Sequence, residues 1–222
     1  MFAEIAGRYD CANHLLSGGL DFFWRRSLAK AVKGKAPSIV LDLATGSGDV
    51  AIALAGALPE STEIIGMDFC KPMLELAEAK KRRRGISDNL RFIHGDCLEI
   101  PMADNSVDAV TIAFGLRNLD DRTGGLREML RVLRTGGTLF VLEFSQPDPW
   151  LGPIFNLYLR YALPRIAGIA TGHPEAYHYL AASIGDFPPR SMLADEIRGS
   201  GYSQVDARKL AFSIVAIHEA TP

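Results

Sequence analysis

The run Leu41-Asp42-Leu43-Ala44-Thr45-Gly46-Ser47-Gly48-Asp49 decides how this chain is read, because an apolar strand, Ser38 to Leu43, breaks into two glycines and then opens a helix. Glycine accepts positive φ and carries no Cβ, so Gly46 and Gly48 suit a turn where a ligand touches backbone. The helix behind such a turn aims backbone N–H groups and its positive dipole end into the same crevice. Asp68 closes the next apolar strand, Glu63-Ile64-Ile65-Gly66-Met67, where a carboxylate can accept hydrogen bonds from a ribose diol.

Taken alone, this turn leaves two cofactors open. Gly46-x-Gly48-x-x-Ala51 satisfies the dinucleotide fingerprint, with Asp68 at the spacing of its ribose-binding acid, so a nicotinamide enzyme is a direct rival. Two features favour S-adenosylmethionine (SAM). Asp42 lies inside the first strand, where its carboxylate can hold the amino-acid end of SAM directly or through water. The third strand, Leu90-Arg91-Phe92-Ile93, runs into His94-Gly95-Asp96-Cys97 and sets another acid beside the expected adenine. A plain turn cap is the competing reading of Asp96, since Asp is common in turns for local reasons. Thr45, Cys97 and Ala113 complete the expected cofactor contacts.

Apolar runs of strand length alternate with segments of helical period, which implies βαβ units and a parallel sheet. Helices are expected from Asp49 to Leu58, Pro72 to Arg83 and Arg122 to Arg134, with strands from Val107 to Ala113 and Thr138 to Phe144. The segment Trp150 to Ala170 is apolar but broken by Pro153, Arg160, Pro164 and Arg165, so it does not suit a bilayer span. It is either a core helix or an apolar cover over a greasy substrate that also touches a membrane surface. A last helix, Ser191 to Ser200, precedes two strands, Tyr202 to Arg208 and Ala211 to His218. The expected fold is α/β: a Rossmann-like, seven-stranded, mostly parallel sheet with helices on both faces and an antiparallel C-terminal strand pair.

With 222 residues, 48% of them hydrophobic, the chain can bury one substantial core and has little room for a second domain. A net charge of −2 argues against a nucleic-acid partner, which calls for a strongly basic face. The basic run Lys80 to Arg84 reads as a solvated helix end, where cations suit the dipole. Cys11, Cys70 and Cys97 share no metal-ligand spacing, so no metal site or disulfide framework is expected and a reducing, cytoplasmic setting fits. Met1-Phe2-Ala3-Glu4-Ile5-Ala6 is not a signal peptide, and the closeness of the first motif to Met1 raises the expectation of a short lost leader.

Once these elements are placed, the chain resembles the ubiquinone/menaquinone biosynthesis C-methyltransferases over essentially its whole length. Phe2-x-x-Ile5-Ala6-x-x-Tyr9-Asp10-x-x-Asn13-x-x-x-Ser17-x-Gly19, followed by Trp24-Arg25, looks like the first family signature. Phe114-Gly115-Leu116-Arg117-Asn118 is similar to the loop after strand four, and Arg131-Val132-Leu133-Arg134-Thr135-Gly136-Gly137 with Leu142-Glu143-Phe144-Ser145 resembles the second signature. Tyr177-x-Tyr179-Leu180-x-x-Ser183-Ile184 with Phe187-Pro188, and Val215-Ala216-Ile217-His218, follow the family as well. Departures are Cys11-Ala12, Thr135 in place of proline, and Ala211-Phe212-Ser213 where a glycine pair is common, a change that bears on the pocket.

The resemblance implies one class I methyltransferase domain, 1–222, with lid helices in 1–30 and a substrate-covering insertion in 146–190. It implies methyl transfer from SAM to a ring carbon of a prenylated hydroquinone, demethylmenaquinol foremost. Arg117 is the first choice for stabilising the ionised ring hydroxyl, as an electrostatic partner rather than a base. Pairing with Asp120 or Asp121 is its structural alternative. Asp10 and Tyr9 are the other catalytic candidates, with His178 and His218 as further proton acceptors. Asn13, Asn118, Tyr177 and Tyr179 are expected against the substrate. A homodimer and peripheral contact with the inner membrane face belong to the same expectation. A nicotinamide oxidoreductase and a catalytically silent SAM-fold partner of a quinone pathway stand as the alternatives.

Overall fold

The structure, a computed structural model, describes residues 17–162 and 183–222. Strands β1 (Ile39–Leu43), β2 (Glu63–Asp68), β3 (Leu90–His94), β4 (Val107–Ala113) and β5 (Leu133–Phe144) run parallel. Strands β6 (Gln204–Leu210) and β7 (Val215–Thr221) pair antiparallel, and β7 lies antiparallel against β5. The sheet has seven strands with an antiparallel terminal pair, as the alternating pattern led us to expect, in the order β3-β2-β1-β4-β5-β7-β6. Strand β1 is flanked by β2 and β4, so the winding direction reverses there. Open α/β sheets bind ligands outside the carboxyl ends of their strands at such a point.

Successive strand residues face opposite sides of the sheet, and both sides are covered. On one side Leu41, Leu43, Val110, Ile112 and Val141 pack with α4 (Arg122–Val132) and α6 (Arg190–Gly199) through Leu126, Met129, Leu193 and Ile197. On the other side Val40, Ile64, Ala109 and Phe140 meet α1 (Leu20–Lys33) and α2 (Asp49–Ala55) through Trp24, Leu28, Val50 and Leu54. The described end of the segment expected as a lid is thus partly core, since α1 buries Trp24, Leu28 and Val32. Helix α3 (Lys71–Arg84) follows β2, and a short α5 (Gly152–Leu157) runs into a π-helical turn, Tyr158–Ala162.

The arginines of the second signature are staples. Arg131 donates to the Ile100 and Met102 carbonyls and pairs with Asp104 and Glu128, tying the loop before β4 to α4. Arg134 pairs at 2.7 Å with Asp108, whose other oxygen accepts the Ser38 and Ile39 N–H groups ahead of β1.

Several boundaries differ from expectation, among them the start of β5, at Leu133 rather than Thr138. Helix α2 ends at Ala55 rather than Leu58. The strand expected from Ala211 begins at Val215, because Ala211, Phe212 and Ser213 have φ of 45°, 56° and 69° and turn the β6–β7 hairpin. Three consecutive non-glycine residues there are strained by about 1–3 kcal/mol each.

Phe140 is among the largest wholly buried side chains and sits in mid-sheet. Phe140→Ala is expected to lower the unfolding free energy by about 3–5 kcal/mol, read from the urea midpoint at unchanged slope.

Candidate functional site

The carboxyl edge of β1 turns at Ala44–Gly48 into α2. Ala44 has φ 48°, Gly46 56° and Gly48 81°. A Cβ on Gly48 would stand 2.8 Å from the Phe92 ring and 2.9 Å from Ala77, so glycine is required there by space as well as by φ. The expected crown of unengaged N–H groups takes a different form. Thr45 N donates to the Met67 carbonyl, Gly48 N to the Thr45 carbonyl, and Gly46 N to the Asp68 carboxylate at 2.8 Å. The turn is therefore closed by its own hydrogen bonds before any ligand arrives.

Asp68 ends β2, is buried, and also accepts Cys70 N at 2.8 Å. Each carboxylate oxygen thus has one backbone donor and keeps lone-pair capacity for a hydroxyl. Asp96 lies exposed after β3, and its Oδ1 caps Leu98 N at 2.9 Å. The turn-cap reading holds for that oxygen and leaves the other for a ligand. Around these acids two large apolar side chains stand in water, Phe69 at 67% exposure and Leu98 at 37%, which sequence reasoning passed over. Cys97 is different: its side chain belongs to the core, and burial pushes the thiol up to about 12, so contact with a ligand there falls to its backbone.

Asp42 is wholly inside. Its Oδ2 accepts the Thr45 hydroxyl and its Oδ1 the Thr111 hydroxyl, both at 2.6 Å. The carboxylate expected to hold a ligand has a threonine hydroxyl on each oxygen and also ties the turn to β4. Burial, ahead of those two bonds, drives its pKa up to about 6.

The loop after β4 meets the turn closely, since a Cβ on Gly115 would stand 2.6 Å from that of Ala44. Phe114 of this loop, which has φ 55°, joins Trp24 and Phe144 in an aromatic cluster with centroids 4.9–6.2 Å apart. Ala113, at the end of β4, packs beside them. Arg117 lies in a 3-10 turn, Leu116–Asn118, with its side chain 7% exposed. Its Nη1 donates to Glu143 Oε1 at 2.8 Å and to the Phe114 carbonyl at 2.6 Å, and its guanidinium lies 5.3 Å from the Phe144 ring centroid. The partner is thus Glu143, wholly buried at the end of β5, and not Asp120 or Asp121; Asp121 instead caps α4 through Gly124 N. Among the described residues Arg117 Nε is buried with no hydrogen-bond partner, as is Trp24 Nε1. Asn118 is half-buried beside it.

Lys80, expected on a solvated face, is buried. Its ammonium donates to Ser47 Oγ at 2.9 Å and Asp49 Oδ1 at 2.6 Å, bracing the turn from α3. Asp49 also pairs with Arg25 at 3.1 Å, which in turn pairs with Asp21. The signal was in the sequence: Met73, Ala77 and Lys80 share the buried helix face at helical spacing. Glu143 had a signal too, a lone carboxylate in the apolar run Leu139 to Phe144. His218 lies under α6 with Nε2 2.9 Å from the Arg190 carbonyl, which assigns the ring proton to Nε2; burial lowers its pKa and keeps it neutral. Tyr9, Asp10, Asn13, Tyr177, His178 and Tyr179 lie outside the described residues.

Comparison with known proteins places this site in context. The sequence profile of the ubiE/COQ5 methyltransferase family matches residues 1–222. A demethylmenaquinone methyltransferase of Deinococcus radiodurans is 45% identical over 98% of this chain and 89% of its own length. One of Thermus thermophilus is 43% identical over 98% of each chain. A ubiquinone/menaquinone biosynthesis C-methyltransferase UbiE of Bdellovibrio bacteriovorus is 40% identical over 100% of this chain and 94% of its own. Among solved structures, a SAM-dependent methyltransferase of Aquifex aeolicus superposes with TM-score 0.64 at 18% identity, over 87% of this chain and 88% of its own, a likeness of fold.

Asp42 makes the site sensitive to pH. Its folded pKa is raised from 3.8 to about 6, so the stability it permits is full below about pH 4 and is lost as pH rises through 6. Asp42→Asn keeps the shape and hydrogen-bonds both threonines. Relative to the parent protein, the variant should gain about 3 kcal/mol of stability between pH 4 and 7, measured by urea unfolding across that range.

Proposed function

The chain belongs to the ubiE/COQ5 methyltransferase family, and from that premise we propose that it methylates a ring carbon of a prenylated hydroquinone, in the demethylmenaquinol-to-menaquinol step, with SAM as donor. The nicotinamide and silent-partner alternatives find no support among the relatives. The residues fit SAM: Asp68 offers lone pairs to a ribose diol, Phe69 and Leu98 offer apolar faces beside Asp96 for a flat ring, and the turn from Thr45 to Gly48 is already closed. When bound, SAM supplies an electrophilic methyl group on a sulfonium. Thr45, Gly46, Gly48, Asp68, Asp96, Ala113 and the Cys97 backbone are its proposed contacts, with Asp42 positioning the turn. Tyr9, Asp10, Asn13, Tyr177 and Tyr179 keep the catalytic and substrate roles that rest on the family motifs alone, as do the lid in 1–30 and the insertion in 146–190.

The observation that carries the reading is the unpaired, buried Nε–H of Arg117. A ring carbon becomes nucleophilic when the neighbouring hydroxyl ionises. An orphan donor on a guanidinium that is already fixed is a preorganised partner for that developing charge. Arg117 keeps its own proton, so it stabilises the oxyanion while another group accepts the proton. Trp24 Nε1, on the same aromatic cluster, is a second unpaired donor for the ring oxygens.

The prenyl tail is assigned to the apolar edge beyond β5. Trp150, Ile154, Leu157 and Phe212 are all exposed, and the Trp150 and Phe212 rings meet edge to face at 5.5 Å. Asp148 holds this corner by accepting the Ser213 hydroxyl at 2.7 Å and pairing with Lys209. Because β7 runs antiparallel, the hairpin tip at Phe212 lies at the same edge as the cofactor turn. Such a patch suits a polyisoprenoid and, beside it, a lipid surface. No described helix is long and apolar enough to cross a membrane; the contact proposed here is a peripheral one. A homodimer stays part of the proposal without a residue assigned to it.

Arg117→Ala would strand buried Glu143, a loss of about 3–5 kcal/mol, so Arg117→Lys is the cleaner probe. It keeps a cation for Glu143 and lacks the Nε–H. SAM affinity by calorimetry should be unchanged, while kcat and kcat/KM fall together by about 10²-fold; near-normal kcat in the folded variant would remove Arg117 from the chemistry. For the tail, a quinol with a truncated chain should show a KM at least tenfold above that of its long-chain counterpart. Phe212→Ser should shrink that difference while leaving kcat on the short quinol as it was; an undiminished difference would free this edge of the role.

A further inference from the structure

We infer that Glu143 is a positioning residue for methyl transfer: it fixes the Arg117 guanidinium so that the unpaired Nε–H meets the ring hydroxyl, and its charge sets the pH at which that hydroxyl ionises. The inference rests on the assignment of Arg117 to the substrate oxygen.

The geometry of the carboxylate supports it. Glu143 Oε1 accepts Arg117 Nη1 at 2.8 Å and Phe144 N at 2.9 Å, while Oε2 lies 3.4 Å from Arg117 N. One side chain therefore grips Arg117 by its guanidinium and leans on its backbone, closing the loop from Phe114 to Asn118 onto β5. With the Phe114 carbonyl on the same Nη1 and the Phe144 ring beside the guanidinium, Arg117 is held from three sides. Nε is the nitrogen left buried and unpaired. A glutamate wholly enclosed at a sheet edge is a costly way to close a loop, because an apolar residue of similar volume often stabilises as well or better. Its presence makes sense where the arginine must point one way.

The charge has a second consequence. A lone guanidinium beside a phenol would favour the phenolate strongly, whereas one neutralised by Glu143 favours it less. Removing the carboxylate charge while keeping the side chain's shape should therefore ease ionisation of the ring hydroxyl. Other titratable groups near this edge are Asp42 on β1, Asp120 and Asp121 in the loop before α4, Asp148 after β5, His218 on β7 and Arg190 at the start of α6. Asp42 is held by Thr45 and Thr111, Asp121 by Gly124 N, Asp148 by Ser213 and Lys209, and His218 by the Arg190 carbonyl. All of them stay in place in the variants below, so they cancel when pH profiles are compared.

The test uses the full-length enzyme with a soluble short-chain quinol. Glu143→Gln and Glu143→Asp are compared with the parent for thermal midpoint, SAM affinity and the pH profile of kcat, whose acid limb reports ionisation in the enzyme–substrate complex. Glu143→Gln is expected to move the acid limb toward lower pH by roughly one unit with SAM affinity unchanged. Glu143→Asp keeps the charge but draws the guanidinium back, so its plateau should fall by about 10- to 100-fold with the limb in place. A purely structural glutamate would leave the limb of a folded Glu143→Gln enzyme where it was, and that result overturns the inference. Should Glu143→Gln fail to fold, Glu143→Asp decides alone: an unchanged plateau, or a fall matched by lost SAM affinity, is equally fatal. A folded Arg117→Lys enzyme with normal kcat would instead show that the assignment of Arg117 itself had failed.

Discussion

The buried carboxylate of Asp42 holds the molecule together where the order of its strands reverses. It reaches from β1 to the Thr45 hydroxyl in the turn and to the Thr111 hydroxyl on β4, so the two central strands leave the sheet in a fixed relation. Everything placed at the carboxyl edge inherits that relation. The turn can close on itself, Gly115 can lie against Ala44, and the loop that carries Arg117 can begin at a defined height above β4. Burial drives the carboxyl's pKa up, a cost that the fold accepts at its most constrained point.

Lys80 and Glu143 are enclosed around this point as well, and both serve the turns rather than the core. Lys80 braces the cofactor turn from below through Ser47 and Asp49, and Asp49 passes the connection to Arg25 on α1. Glu143 braces the loop on the opposite side of the switch point through Arg117. Apolar packing on the two faces of the sheet supplies most of the stability. The enclosed ions supply direction, which non-directional packing cannot.

Much of this was legible in the chain. The glycine turn, the strand-end acids and the succession of β1 to β5 along the chain follow from alternation of period and from residues whose geometry is local. The partner of Arg117 was not legible, because the nearest acids in sequence, Asp120 and Asp121, are more obvious than Glu143, which is brought there by the β4–β5 pairing. Lys80 was hidden inside a run of five basic residues, although its spacing from Met73 and Ala77 marks the buried face. The tip at Ala211 to Ser213 was read as strand because it runs without a glycine into the apolar stretch Ile214 to Ile217, and positive φ at non-glycine residues leaves no mark in composition. Asp42 carries a second task that was not legible: position along a strand says that a carboxylate is near a ligand crevice, but not that the Thr45 and Thr111 hydroxyls tie it to the turn and to β4.

Cys97 has a bearing on selectivity of a different kind. A thiolate is among the strongest nucleophiles a protein carries, and an alkylating cofactor bound over this stretch makes any thiolate formed there a hazard. Burial lifts this thiol from 9.0 to about 12, which cuts the thiolate fraction at neutral pH by about a thousandfold. The side chain is then a small apolar filler of the core behind the crevice, and an enzyme that handles an alkylating cofactor is spared from becoming its own substrate.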